Sequence, residues 1–231
     1  MHTRLLAILA ALFAAAVLVA GCSASSEKSN ESLPDAATLL KESSQTTRDL
    51  TSVHLVLTVN GEIQDLPIKT LSGDLTNSPA VAAQGNAKLS MSDTDVDADF
   101  VVADGILYVA LSPDNWIDMG PAADIYDVSA ILNPDTGLAN VLAGFTDAKT
   151  EGTETINGVE TVKVTGKVSA DAVNKIAAQI GATEPVPGTA WIRQDGNHEL
   201  VQAQLEPTPG NSIQMTLSEW DKPVTVTKPA V

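Results

Sequence analysis

The sequence predicts an α+β protein: a long, curled antiparallel sheet with short helices on its concave side. Three observations predict it. Apolar and polar residues alternate with period two over many short stretches. The pairs Asn60-Gly61, Asp104-Gly105, Asn157-Gly158, Asp195-Gly196 and Gly210-Asn211 punctuate them as turns. The stretches that repeat at helical spacing are few and short. A sheet of about nine to eleven strands tends to curl or split rather than stay flat.

The first residues precede this fold. Met1 to Arg4 carry one firm positive charge, and Leu5 to Val19 are an unbroken apolar run. The run ends at Leu18-Val19-Ala20-Gly21-Cys22, and Cys22 is the only cysteine of the chain. A sole cysteine directly after small residues at the end of such a run is the pattern of a lipoprotein signal. Residues 1–21 are therefore expected to be a signal peptide, with the Cys22 thiol as the site of lipid attachment. The apolar run is shorter than the ~20 residues of a membrane span; a retained anchor helix is the alternative. Two or more acyl chains on Cys22 would hold the protein stably at a membrane surface. That places it in the cell envelope, lipid-anchored on the outer, periplasm-like face of the cell membrane. Residues 22–33 are rich in Ser and charged groups and read as a flexible tether. Residues 34–231 read as a single domain, large enough for a real core.

Composition narrows the partners. Without residues 1–21 the chain holds 12 basic and 29 acidic side chains, a net charge of −17. Nucleic acid is excluded on that balance, because affinity for it rests on neutralising phosphates. Docking on anionic lipid heads is disfavoured for the same reason. Aromatic residues are only 3%, so the interior must be built from small and medium aliphatic groups.

In chain order, Pro34 and Asp35 open a helix to about Leu50. Val53 to Val59 alternate as a strand. Further strands are expected over Ile68–Thr76, Val81–Asp93, Thr94–Ala103 and Ile106–Leu111. On the third of these, Val81, Ala83, Gly85, Ala87, Leu89 and Met91 share one face. The middle of that face is unusually small: either another element packs very close there or space is left beside it. Asp124 to Leu132 is expected as a helix, with Ile125, Val128 and Leu132 on one side. A second short helix carries Leu138, Val141, Leu142 and Phe145. Strands resume at Ala148–Ile156 and Glu160–Val168. Ser169 is a good N-cap for a helix bearing Val173, Ile176, Ala177 and Ile180, and Gly181 can end it in the left-handed conformation. Three strands follow near Thr189–Gln194, Glu199–Glu206 and Ser212–Trp220. The tail Asp221–Val231 is expected to cross the surface as an edge segment.

Chemistry-bearing constellations are scarce. After cleavage the histidines are His54 and His198, neither with a partner at metal spacing and neither in a recognisable triad. No phosphate loop, dinucleotide loop or nucleophile elbow is present. Asp93, Asp95, Asp97 and Asp99 resemble the start of a calcium loop, but position six would be Ala98 and position twelve Asp104. They read instead as the solvated face of a strand, which discourages edge pairing. No metal, no cofactor and no enzymatic activity are expected. The pattern alone leaves open whether the helices fill the concavity or leave a hollow.

Long runs of the chain resemble the mycobacterial LppX/LprG family of envelope lipoproteins. They include Leu57-Thr58-Val59-Asn60-Gly61, Thr70-Leu71-Ser72-Gly73-Asp74-Leu75 and Asp97-Ala98-Asp99-Phe100-Val101-Val102. Asp104-Gly105-Ile106-Leu107-Tyr108, Gly120-Pro121-Ala122-Ala123-Asp124-Ile125-Tyr126, Asn133 to Leu142 and Gln214-Met215-Thr216-Leu217-Ser218 continue the match over nearly all of the mature domain. The resemblance implies a half-barrel sheet enclosing a large apolar cavity. It implies a carrier that moves acylated lipids or glycolipids, including triacylglycerol and lipoarabinomannan types, through the envelope. It also implies two protein partners: an efflux transporter of the major facilitator type and the host receptor TLR2. A non-carrying scaffold for such a transporter is the alternative.

Carriage makes physical sense. Each buried methylene is worth ~0.8 kcal/mol, so a chain of about fifteen would lose roughly 12 kcal/mol on entering water. Gly85 and Ala87 are the foremost candidates for the cavity wall. Leu57, Val59, Leu89, Met91, Val128, Leu138, Val141, Leu142, Val164, Ile176 and Ile180 follow, each equally readable as ordinary core.

Overall fold

The structure is a computed structural model and describes residues 33–63, 66–91, 94–124 and 128–231, with the side chains of 128 and 129 outside the description. Residues 1–21, expected as a signal peptide, Cys22 and nearly all of the expected tether lie outside the described residues, as do Asp93, Ile125 and Tyr126.

Helix α1 (Ala36–Asp49) begins where Asp35 Oδ1 accepts the Thr38 N–H at 2.8 Å. That bond holds the Asp35 carboxyl below its ordinary pKa. Leu39 and Leu40 face inward and are buried. The chain then builds a meander of six strands: β1 (Ser52–Asn60), β2 (Ile68–Thr76), β3 (Ala82–Met91), β4 (Thr94–Ala103), β5 (Ile106–Ala110) and β6 (Trp116–Pro121). From β6 it crosses inside the sheet through 3-10 turns at Ala122–Asp124 and Val128–Leu132 and through α2 (Leu138–Ala143). A second meander returns: β7 (Phe145–Ile156), β8 (Val159–Val168), α3 (Ala170–Ile176), β9 (Val186–Arg193), β10 (Leu200–Thr208) and β11 (Asn211–Ser218). Strand β11 pairs with β1, so the order is β6-β5-β4-β3-β2-β1-β11-β10-β9-β8-β7 and every pairing is antiparallel.

Eleven strands laid flat would span about 48 Å at ~4.8 Å per step. The three helices have only 14, 6 and 7 residues, and α1 is about 21 Å long. They can bury the inner face only because the sheet curls around them. It does not close: β6 and β7 are its two free edges. Buried side chains of β1, β2, β3, β4, β8, β9, β10 and β11 join those of all three helices in one core. Residues Leu33–Val231 make one compact unit.

The architecture is the expected half barrel, and several local expectations change. Strand β6 was not expected; its sequence, Trp-Ile-Asp-Met-Gly-Pro, lacks clean alternation and becomes a strand only through pairing with β5. Pro121 is tolerated because β6 is an edge. The helix expected over Asp124–Leu132 is, where described, the two 3-10 turns. Ser169 does cap α3, its Oγ accepting the Ala172 N–H at 3.3 Å, and Gly181 is left-handed. Between them the helix breaks at Ala177 into a 3-10 turn over Ala178–Ile180. The tail lies on the outer face of the sheet rather than along an edge.

Candidate functional site

The interior is lined by aliphatic side chains from both meanders. Leu138 and Val141 of α2 and Ile176 of α3 meet Ala203, Leu205, Ile213 and Met215 of β10 and β11 around a cavity of about 20 Å³. That holds about one water and no acyl chain. The space enclosed by this lining is therefore far smaller than the large hollow expected from the resemblance. Leu57, Leu142 and Val164 are buried in the core around it. Ala203, Leu205, Ile213 and Met215 were not anticipated; their inward alternation on the last two strands was the available signal.

Two open hollows lie at the end of the sheet where β1 stops and β2 starts. One, of about 940 Å³, is bordered by Val59, Ile63, Leu66 and Ile68, with Glu62, Lys69 and Ser90 at its rim. The other, of about 810 Å³, is bordered by Ile63, Ile180 and Val186, with Glu62, Gln179, Glu184 and Asn211. Val59, Ile63, Leu66, Ile68 and Ile180 are half-buried and pack against the main core. The aliphatic interior therefore continues to an aliphatic mouth with a polar rim. Lys69 is paired there with Asp95 at 2.8 Å, which raises the lysine above its ordinary pKa.

The two foremost wall candidates fare differently. Gly85 faces Gly73 across β2 and β3. A Cβ on Gly85 would lie 2.1 Å from the Ser72 carbonyl oxygen, and one on Gly73 would lie 3.1 Å from Cζ of Phe100. The small face is thus consumed by close strand approach under a phenyl ring, and Gly85 opens no space. Ala87 is half-buried against the core. Leu89 is half-buried on the same strand, while Met91, at the strand end, is 54% exposed and lines none of these hollows. The side chain of Val128 lies outside the described residues.

His54 is less isolated than the sequence suggests. On the outer face its Nδ1 lies 2.7 Å from Asp74 Oδ1, and its Nε2 lies 3.4 Å from Ser72 Oγ. The order matches a catalytic triad, yet β1 and β2 are interior strands whose backbone N–H groups serve the ladder. No strand donors remain there to hold an oxyanion. Among the described residues no cluster of three or more His, Cys, Asp or Glu could hold a metal ion. No helix among them is long and apolar enough to cross a membrane.

An open half barrel with an aliphatic interior and a mouth at one end defines the class. The family follows from comparison: the LppX_LprAFG lipoprotein family matches residues 35–226, and the chain belongs to that family. It is 59% identical over 230 residues to the lipoarabinomannan carrier protein LprG of Mycobacterium tuberculosis, covering 100% of this chain and 97% of that protein. The protein of the same name from Mycolicibacterium smegmatis is 62% identical, over 96% of this chain and 95% of its own. Among solved structures, LprF of Mycobacterium bovis superposes with a TM-score of 0.78 at 33% identity, covering 86% of this chain and 99% of LprF. LppX of M. tuberculosis does so with 0.66 at 31% identity, covering 83% and 97%. The LprG relatives are named as carriers and the family as one of lipoproteins, not of enzymes.

Proposed function

We propose that the protein is a membrane-anchored carrier that takes acyl chains of lipids or glycolipids into its interior and moves them through the cell envelope. One observation carries the reading: a cavity lined only by aliphatic side chains lies in a core whose aliphatic side chains reach two open hollows that also carry polar groups. Acyl chains offer no polar handle, so a wall of this kind suits them, while the rim keeps a headgroup wet. The name of the 59% identical relative, a lipoarabinomannan carrier, supports a glycolipid as cargo. Triacylated lipids and triacylglycerol offer acyl chains of the same kind to such a wall. Cys22 supplies the anchor after removal of residues 1–21, residues 22–33 are the tether, and the domain works on the outer face of the cell membrane. The closed interior requires that loading and enlargement go together.

A scaffold for an efflux transporter of the major facilitator type is the second reading, favoured by the cavity of only about 20 Å³. TLR2 enters as a partner on resemblance alone. Native mass spectrometry of a soluble Cys22→Ala form expressed in a mycobacterial host separates the two. The carrier retains about one acylated lipid per chain, and Ala203→Phe, which fills the cavity, loses it while melting as a folded protein. Lipid-free wild type supports the scaffold; full lipid in Ala203→Phe refutes the assignment of the interior.

A further inference from the structure

Beyond Glu219 the chain leaves the sheet and crosses its outer face. It starts well anchored. Asp221 Oδ1 accepts from the Thr51 N–H and hydroxyl, both at 2.8 Å, and Ser52 Oγ donates to the Lys222 carbonyl at 2.6 Å. The pairings His54 with Asp74, Asp74 with Gln84, Gln84 with Val101 and Val101 with Tyr108 form one transverse row over β1 to β5. The tail follows that row. Pro223, Val224 and Thr225 border a hollow shared with His54, Asp74 and Gln84. Val226 packs on Val101, Ala103 and Tyr108. Lys228 Nζ stands 5.5 Å from the centre of the Tyr108 ring. Val224 and Val226 are half-buried, and Thr225 and Thr227 are exposed, the alternation of an extended segment laid apolar side down.

Among the described residues, the strands at the far end of that row have little support from within. The turn Val128–Leu132 packs on β2 and β3, and α1 packs on β7 and β9. Among the described residues none of α1, α2 and α3 packs broadly on β5 or β6; only the 3-10 turn Ala122–Asp124 contacts β6, with Ala122 buried in the main core. Of the inward side chains there, Leu107 reaches the main core, while Ile117 and Met119 are 47% and 48% exposed.

We infer that the C-terminal tail is a strap that fixes the β5–β6 wing from outside, and that this wing is the wall that swings when the interior enlarges. The second half of the inference rests on the carrier reading; the first half does not. The Tyr108 hydroxyl first, then Asp104 and Asp118, raise Lys228 above its ordinary pKa.

Hydrogen–deuterium exchange on the soluble Cys22→Ala chain tests the strap, comparing it with a chain ending at Lys222 and with Val226→Asp. Amides of Ile106–Ala110 should lose roughly ten-fold in protection in both variants while β9 and β10 keep theirs. Unchanged protection of β5, or an equal loss in β9 and β10, overturns the strap. Release of a fluorescent long-chain fatty acid should quicken roughly three-fold or more in the same variants. Unchanged release beside a loosened β5 overturns the wing as the moving wall. Failure of the wild type to bind the fatty acid overturns the carrier reading and leaves the exchange result standing.

Discussion

The two meanders are sealed in opposite ways. Strands β8 to β11 are closed from inside: Val162, Val164, Ala190, Ile192 and Leu200 lie under the helices and are fully or almost fully buried. The outer strands of the first meander are closed from outside, by the tail, with Ile117 and Met119 left open on the inner side. Burial against helices scales with apolar area and resists local opening. A strap of a few side chains resists it less. The same sheet thus holds a stiff half and a compliant half, and the cavity lies against the stiff one.

The largest expected effect contrasts the two directly. Ile192→Ala, at a position with 0% exposure, should cost about 3 kcal/mol by chemical denaturation. Met119→Ala on the wing should stay within about 0.5 kcal/mol; equal costs would break the comparison. Gly85→Ala comes next. Its new methyl group would press on the Ser72 carbonyl and should cost about 2 kcal/mol by pushing β2 from β3. A neutral result would restore free space beside Gly85. The smallest effect concerns acid. The Glu154 carboxyl is held below its ordinary 4.5 first by the Trp191 indole N–H at 2.7 Å, then by Lys163. A lowered pKa gives stability that is complete above pH 4.5 and fades as pH falls through the folded value. Glu154→Gln should flatten the acid side of the stability curve, read by Trp191 fluorescence, and leave pH 7 to 8 unchanged in slope.

Much of this was legible in the sequence, and the residues say why. Asp104-Gly105 and Asn157-Gly158 are hairpin turns with both residues at positive φ, the conformation those pairs favour. Ser169 and Gly181 bracket their helical segment through local chemistry alone. Leu138, Val141 and Ile176 line the cavity because helical spacing aims them inward. What stayed hidden depends on pairing across the sheet. Whether Gly85 makes room or fills it is decided by Gly73 and Phe100, which only the register of β2, β3 and β4 sets opposite it. Strand β6 exists only beside β5. The Ser72–His54–Asp74 alignment needs the β1–β2 register.

An unclosed sheet has two rims that could zip onto neighbouring molecules. Here one rim, β6, is short and ends at Pro121. The other, β7, slips register twice and carries Asp147, Lys149, Glu151 and Glu154. Both are poor templates for fibril growth. Copies at high local concentration can therefore stay separate and individually available, although each exposes unpaired backbone along two sides.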